Sequence, residues 1–185
     1  MILIVIIFLL IITNFLLFFF RKPIRKNIYN SLIVSPCDGT IMNIDGNKMT
    51  VFLSIIDVHW QYTPMDSVIK NIEILKGPYH LAFKPESEHN YGIRVTFGTK
   101  IGDILVTQRV GFFVRRIKNN INIGDFIKQS VPYGIIRFGS RCDIQIPNNM
   151  NYSKNLNKGD KLSGGKTPLT DDINMFAKPH NHKFL

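Results

Sequence analysis

The first twenty residues constrain the fold most, because they form one uncharged apolar run. The run reads MILIVIIFLLIITNFLLFFF, and Thr13 and Asn14 are its only polar members. A helix rises about 1.5 Å per residue, so residues 1–20 would span about 30 Å, the thickness of a bilayer's hydrocarbon core. The run has neither a basic leading region nor a small-residue cleavage motif, which favours a transmembrane anchor over a removed signal peptide.

A basic linker, residues 21–30, follows the apolar run directly. It carries Arg21, Lys22, Arg25 and Lys26. By the positive-inside bias, these charges place the rest of the chain on the cytoplasmic side of a single-pass anchor. The whole chain has a net charge of +10. A basic chain beside an anchor is suited to an anionic lipid surface, and we do not expect a nucleic-acid partner.

Beyond the linker, the sequence predicts a mainly β fold. Short runs with period-two alternation are separated by turn signals, and no long helical period is found outside the anchor. GTIMNI and KMTVFLS flank Asp45-Gly46-Asn47, which is typical of a hairpin. We therefore predict a compact barrel or sandwich over residues 31–147, followed by a polar C-terminal tail over residues 148–185.

The stretch IIRFGSRCDIQIP, residues 135–147, contains an unexpected serine. Its apolar residues alternate with polar ones, as in a half-buried strand. Ser140 falls on the apolar phase, directly behind Gly139, and glycine weakens strands. A serine that points into the core behind a glycine needs a chemical reason.

Four stretches together supply that reason. They are SPCDGT (35–40), FLSIIDVHWQYTP (52–64), ESEHN (86–90) and YGIIRFGSRCDIQIP (133–147). In this order they resemble the phosphatidylserine decarboxylase family, in its short form with a Gly-Ser processing site. The second and fourth blocks carry most of the resemblance, which covers the greater part of the domain that follows the linker.

The resemblance implies a self-processing enzyme. The Ser140 hydroxyl would attack the Gly139 carbonyl, and elimination with loss of ammonia would turn Ser140 into a pyruvoyl group. The products would be a membrane-anchored large chain, residues 1–139, and a small chain, residues 140–185. The pyruvoyl group would act as the electron sink for converting membrane phosphatidylserine to phosphatidylethanolamine and CO2.

The resemblance also assigns a catalytic set. His59 matches the family's active-site histidine, and Asp38 matches its aspartate partner. An Asp-His-Ser arrangement would activate Ser140, because a serine hydroxyl is a weak nucleophile without a base. The family's fold is similar to biotinyl/lipoyl-like hybrid barrels. Two positions depart from the family pattern: Cys37 replaces a small alanine, and Tyr91 replaces an acidic residue, which bears on headgroup recognition.

Two alternatives stay open from the sequence. One is a non-catalytic, membrane-tethered hybrid-barrel module that binds anionic lipid with a degenerate site. The other is a zinc hydrolase using His180 and His182, but nothing in the sequence specifies its acidic third ligand, and we expect no metal. The two cysteines, Cys37 and Cys142, form no disulfide framework. The sequence does not specify the oligomeric state.

Overall fold

The computed structural model describes residues 1–25, 33–112, 116–137 and 140–171. In these ranges the chain forms one α-helix, one short 3₁₀ helix (Pro85–His89) and eleven β-strands. The helix is α1 (Ile2–Phe19), and the strands are β1 (Gly39–Asp45), β2 (Lys48–Leu53), β3 (Trp60–Tyr62), β4 (Ser67–Leu75), β5 (Gly92–Thr99), β6 (Gly102–Arg109), β7 (Ile117–Asn119), β8 (Phe126–Ile127), β9 (Pro132–Ile136), β10 (Ser140–Gln145) and β11 (Lys161–Leu162).

The strands form two antiparallel sheets, which confirms the prediction of a mainly β protein. The larger sheet has the order β11-β1-β2-β10-β6-β5-β4-β8, and the smaller sheet has the order β3-β9-β7. Over the described ranges the larger sheet ends at β11 and β8 and does not close into the expected barrel. The similarity to biotinyl/lipoyl-like folds therefore stays a prediction.

The first hairpin forms where the sequence predicts it. Asp45 pairs with Lys48 across a turn in which Gly46 has a φ of +54°, a left-handed conformation that glycine adopts without strain. Met49, Val51 and Leu53 alternate along β2 and are fully buried. The period-two pattern therefore reports the face of β2 that packs into the core.

The stretch around the Gly-Ser pair is not one strand, because the chain changes sheets there. β9 lies in the smaller sheet, and β10 lies in the larger sheet between β2 and β6. Ser140 is the first residue of β10, whereas Phe138 and Gly139 lie outside the described residues. The residues before the pair and those after it alternate as two separate strands do. This alternation does not reveal that the two strands belong to different sheets.

The polar phase of β10 is buried as well as the apolar one. The Asp143 carboxylate accepts hydrogen bonds from Arg141 Nε at 2.8 Å, Arg109 Nε at 3.1 Å and Thr50 Oγ1 at 3.0 Å. Arg141 is 5% exposed and Asp143 is 4% exposed. A buried charge is tolerated when it is paired and hydrogen-bonded, which explains how a strand with polar residues on one face can sit in the middle of the sheet.

The described part of the C-terminal region packs on the larger sheet. β11 pairs with β1, and the Tyr152 hydroxyl donates to the Ile144 carbonyl at 2.8 Å. Leu162 and Leu169 are buried in the core. Residues 172–185, which include His180 and His182, lie outside the described residues.

The N-terminal helix is the one described element with an exposed apolar surface all around it. It is the one helix in the described ranges that is long and apolar enough to cross a membrane, with a mean hydropathy of 3.2. Phe19, at its last turn, is its one buried residue. The helix therefore meets the rest of the protein only at its C-terminal end.

Candidate active site

A short, rigid turn positions His59. The Asp57 carboxylate accepts hydrogen bonds from the Ser54 backbone N–H at 2.8 Å and the Ser54 hydroxyl at 2.7 Å. On the far side of the turn, the His59 carbonyl accepts from the Ile136 N–H at 3.1 Å, next to the pairing of β3 with β9. The turn therefore connects β2 of the larger sheet to β3 of the smaller sheet. His59 lies directly before β3.

The hydrogen bonds of the His59 ring leave one nitrogen available as a base. Nδ1 lies 2.9 Å from the Asp57 carbonyl oxygen, which can only accept, so Nδ1 carries the proton in the neutral ring. Nε2 is buried and has no hydrogen-bond partner. Burial lowers the pKa of His59 from its ordinary 6.5, and the nearby Arg21 guanidinium lowers it further. The ring is therefore neutral at neutral pH, with a lone pair on Nε2.

Ser140 lies at the same junction between the sheets. It is fully buried, and its backbone pairs with Leu53, the last residue before the turn that leads to His59. Its hydroxyl oxygen is also buried without a hydrogen-bond partner. Such orphaned groups are rare in native proteins and call for an explanation. Among the nine such atoms in the described residues are the His59 imidazole nitrogen, at one end of the short connection, and the Ser140 hydroxyl, whose residue pairs with Leu53 at the other end.

The Asp38 carboxylate binds Arg25 and Gly164, whereas the family resemblance implies that it pairs with His59. Its carboxylate forms an ion pair with the Arg25 guanidinium, one of whose hydrogen bonds is 2.9 Å long, and accepts the Gly164 N–H at 2.8 Å. No hydrogen bond joins Asp38 to His59, because the Asp57 carbonyl occupies Nδ1. The negative charge of Asp38 still acts on His59, since it opposes the lowering of that pKa.

The backbone next to Asp38 requires a glycine at position 39. Gly39 has a φ of +145°, and a Cβ there would collide with the Phe52 carbonyl oxygen. Only glycine allows this close approach of two strands. The Asp-Gly pair in SPCDGT is therefore a structural requirement as well as a candidate catalytic motif.

The chain segment that leaves the helix covers His59. We call residues 19–25 the juxtamembrane segment. The Phe19 ring lies 4.4 Å, between centroids, from the His59 ring. The Trp60 indole donates to the Phe20 carbonyl at 3.4 Å, and the Tyr62 hydroxyl donates to the Pro23 carbonyl at 3.0 Å. Phe19 therefore packs on the ring of His59, whose burial keeps it neutral.

Sequence reasoning missed three contributors to the site. Asp57 acts through its backbone carbonyl, which no residue pattern reveals, although its position in DVH next to the histidine was visible. Phe19 looks like any other anchor residue, and Arg25 looks like any other linker charge. Their roles depend on how the helix end docks on the domain, which is a tertiary contact without a sequence motif.

The ESEHN loop builds structure behind the site. Ser87 and Asn90 are fully buried. The Asn90 amide donates to the carbonyls of His80 and Val110 at 2.8 Å each, and Arg141 donates to the Ser87 hydroxyl at 3.2 Å. These two matches to the family pattern therefore fix the loop beside β10.

The two departures from the family pattern have simple surroundings. Cys37 is fully buried in the core with Cys142, and burial together with the neighbouring Cys142 raises the pKa of the Cys37 thiol. It therefore fills space as an un-ionised thiol. Tyr91 stacks on Tyr79 with ring centroids 6.2 Å apart.

Among the described residues, no three histidine, cysteine, aspartate or glutamate side chains are grouped as metal ligands.

Comparisons with known proteins match most of the chain to one family. Residues 12–170 match the family described as "Phosphatidylserine decarboxylase". A protein of Methanosarcina acetivorans named "Putative archaetidylserine decarboxylase proenzyme" is 37% identical over 82% of this chain and 72% of its own length. A "Phosphatidylserine decarboxylase proenzyme" of Streptomyces avermitilis is 33% identical over 84% of this chain and 73% of its own length.

No solved structure matches the chain. The family match spans the C-terminal part of α1, both sheets and the region up to β11 and beyond, so it includes the helix end as well as His59 and Ser140. Both relatives are described as proenzymes. The chain belongs to the phosphatidylserine decarboxylase family of self-processing decarboxylases.

Proposed function

We propose that the chain cuts itself between Gly139 and Ser140 and then decarboxylates the serine headgroup of a membrane phospholipid, with phosphatidylserine as the substrate. One observation carries the proposal: His59 Nε2 and Ser140 Oγ are both buried, both unpartnered, and both located at the junction between the two sheets. A base and a nucleophile that lack other partners are available to each other.

His59 would begin the self-cleavage as the general base. Its neutral Nε2 takes the Ser140 hydroxyl proton as the oxygen attacks the Gly139 carbonyl carbon, and an ester replaces the amide. A base then removes the Ser140 Cα proton as the Cβ–O bond breaks, which frees the Gly139 carboxylate and leaves an N-terminal dehydroalanine at residue 140. Water adds to this residue, ammonia leaves, and a pyruvoyl group remains.

The surroundings of Ser140 suit this sequence of steps. Full burial limits the access of water that would hydrolyse the ester before elimination. Burial of His59 keeps its base form populated at neutral pH. When formed, the pyruvoyl group supplies an electron sink for the electron pair left by the departing CO2. His59 would then be available to move a proton to the product.

Asp38 would act as a positioning residue. It holds Arg25 and the Gly164 backbone, and it adds negative charge near His59. A nearby carboxylate stabilises the imidazolium that forms when His59 takes a proton. We assign the orientation of the ring to the Asp57 carbonyl.

The membrane would present the substrate to this site. α1 is proposed to cross the bilayer, with Arg21 and Lys22 holding its C-terminal end at the cytoplasmic side. The large and small chains would then work together at an anionic lipid surface. Protease treatment of sealed, right-side-out cell vesicles should leave the domain intact and should digest it in inverted vesicles.

Intact-protein mass measurement tests the self-cleavage. The parent chain should give two fragments that meet between residues 139 and 140, and Ser140→Ala should give one chain without decarboxylase activity. Ser67→Ala is a matched control, because the Ser67 hydroxyl is also buried without a partner but lies on β4. Release of labelled CO2 from carboxyl-labelled phosphatidylserine measures the activity.

His59→Ala should slow cleavage by about 100-fold or more, the usual contribution of a general base. His80→Ala, at an exposed position, should cleave as the parent does. A Ser140→Ala chain that still splits, or a His59→Ala chain that matures normally, would remove the residue concerned from the mechanism. A parent chain that never splits would favour a non-catalytic lipid-binding module.

A further inference from the structure

The end of the anchor helix is fixed to the catalytic domain, and this sets the direction in which the domain faces. The Arg21 guanidinium donates to the Phe18 carbonyl at 2.7 Å, in the last turn of α1, and to the Ile56 carbonyl at 2.8 Å. One side chain therefore bridges the helix end and the turn that leads to His59. A helix end bound in this way is not a flexible tether.

The turn beside the helix end presents apolar side chains to the outside. Ile55 is 54% exposed and Ile56 is 62% exposed. The turn is rigid, because Asp57 binds both the backbone and the hydroxyl of Ser54. Two adjacent isoleucines on a rigid, exposed turn have no packing role within the described part of the chain.

Trp60 also lies against the end of α1. Its indole donates to the Phe20 carbonyl, and the Lys22 ammonium group lies 4.3 Å from the centroid of its ring. Tryptophan and lysine at a helix end are typical of the membrane–water interface, where an apolar ring and a charged group both find suitable surroundings. The turn, Trp60 and the last turn of α1 are thus neighbours in space.

We propose that Ile55, Ile56 and Trp60 form, with the end of α1, one bilayer-contacting surface that holds the catalytic domain against the membrane in a fixed orientation. The partner is the boundary between lipid headgroups and acyl chains, on the side where α1 ends. Continuity with α1 favours a bilayer over a protein partner, because Arg21 and Lys22 bring the turn to the depth at which the helix leaves the bilayer.

This surface explains how a buried site can reach a membrane lipid. The turn separates Leu53, which pairs with Ser140, from His59. Insertion of the turn into the interface would therefore bring Ser140 and His59 close to headgroup depth, and a serine lipid would need little displacement from its bilayer. The proposal rests on the proposed membrane anchoring, whereas its test does not depend on decarboxylation.

Spin labels at matched isoleucines provide the test. Ile56→Cys carries the label on the turn, and Ile123→Cys is the control, because Ile123 is 63% exposed and lies by Ile69, toward the opposite end of the larger sheet. The native Cys37 and Cys142 are buried and should not react in the folded protein. The full chain is reconstituted in vesicles of phosphatidylcholine with an anionic lipid, and collisions with oxygen and with a water-soluble nickel chelate are measured.

In vesicles, the label at position 56 should show a ratio of oxygen to nickel accessibility severalfold higher than the label at position 123, because oxygen concentrates in lipid. Equal ratios at the two positions would overturn the proposal. Low accessibility to both reagents at position 56 would also overturn it, since that result means cover by protein. The same measurement on Ser140→Ala chains gives the orientation even where self-cleavage or turnover fails.

A second comparison links the surface to substrate access. The double variant Ile55→Ser with Ile56→Ser should lose severalfold in turnover of bilayer lipid and keep its turnover of a short-chain soluble analogue. Ile123→Ser should change neither. Equal losses on both substrates would show that the turn supports the site itself and does not act by contacting the membrane.

Discussion

Asp38 and Arg25 form a mostly buried ion pair, with side chains 15% and 7% exposed. Removing one partner of such a pair leaves an uncompensated charge, which costs about 3 kcal/mol. We therefore expect Asp38→Asn to lower the melting temperature of the protein in detergent and to slow self-cleavage. Differential scanning fluorimetry and a timed denaturing gel measure the two effects.

Lys70 and Asp103 provide the matched control for that pair. Their side chains are 56% and 41% exposed, so solvent already screens the interaction. Asp103→Asn should change stability by less than about 0.5 kcal/mol and leave cleavage unchanged. Equal effects of the two substitutions would mean that Asp38 is not specifically coupled to the site.

The pH dependence of self-cleavage should follow His59. Its neutral form is the base, and burial places its pKa below 6.5. The rate should therefore fall as pH drops through this lowered pKa and reach a plateau at higher pH. Arg21 is one cause of the lowering, so Arg21→Gln should raise the pKa and move the fall in rate to higher pH.

Lys22→Gln is the control for the loss of a positive charge next to Arg21. Lys22 contacts the Trp60 ring and does not contribute to the lowered pKa of His59. Its profile should superimpose on that of the parent chain. A profile of Arg21→Gln displaced toward lower pH would contradict the assignment of His59 as a base controlled by burial and by this guanidinium.

At the scale of elements, two deletions should separate the contribution of the juxtamembrane segment to self-cleavage from that of the helix before it. Deleting residues 2–18 removes the apolar run but keeps Phe19 against His59 and Arg25 against Asp38. Deleting residues 2–25 removes both contacts. We expect the first chain to mature at nearly the parent rate and the second to mature about tenfold more slowly or worse, because His59 becomes exposed to water.

Cleavage of both purified proteins can be followed in the same detergent by intact mass. The shorter deletion is itself the control, since both chains lack the apolar helix. Equal maturation of the two would show that the segment does not contribute to the site. Slow maturation of both would indicate that the helix body supports the fold.

Much of the secondary structure could be predicted from the sequence. Alternation along β2 and the Asp45-Gly46 turn predicted the first hairpin, because local propensity and burial agree there. The sheet change between β9 and β10 could not be predicted, since each half has the same alternation. The burial of Arg141 and Asp143 was also hidden, because it depends on Arg109, which is distant in sequence.

The same limit applies to the candidate site. The order of the short motifs was enough to single out His59 and Ser140, because each stands in a distinctive local pattern. The partner of Asp38 could not be found in that way. Arg25 reaches it only because α1 docks by its last turn, a contact between parts of the chain that carry no shared motif.

At the scale of the whole molecule, the proposed cut would leave two chains that are difficult to separate. The small chain would begin with β10, which pairs along its length with β2 on one side and along most of it with β6 on the other. Both neighbours would belong to the large chain. Asp143 of the small chain would also bind Arg109 of the large chain at 3.1 Å.

We therefore expect the matured protein to behave as one unit after its backbone is cut. Both chains should co-elute in size-exclusion chromatography in mild detergent and separate only in denaturant. Asp143→Asn should lower the denaturant midpoint, since it leaves two buried arginines without their carboxylate at a cost of about 3–5 kcal/mol. Asp103→Asn, in its exposed pair, should leave the midpoint unchanged. Dissociation of the parent's small chain under native conditions would show that β10 does not hold the two chains together, and an unchanged midpoint for Asp143→Asn would show that its ion pairs do not contribute.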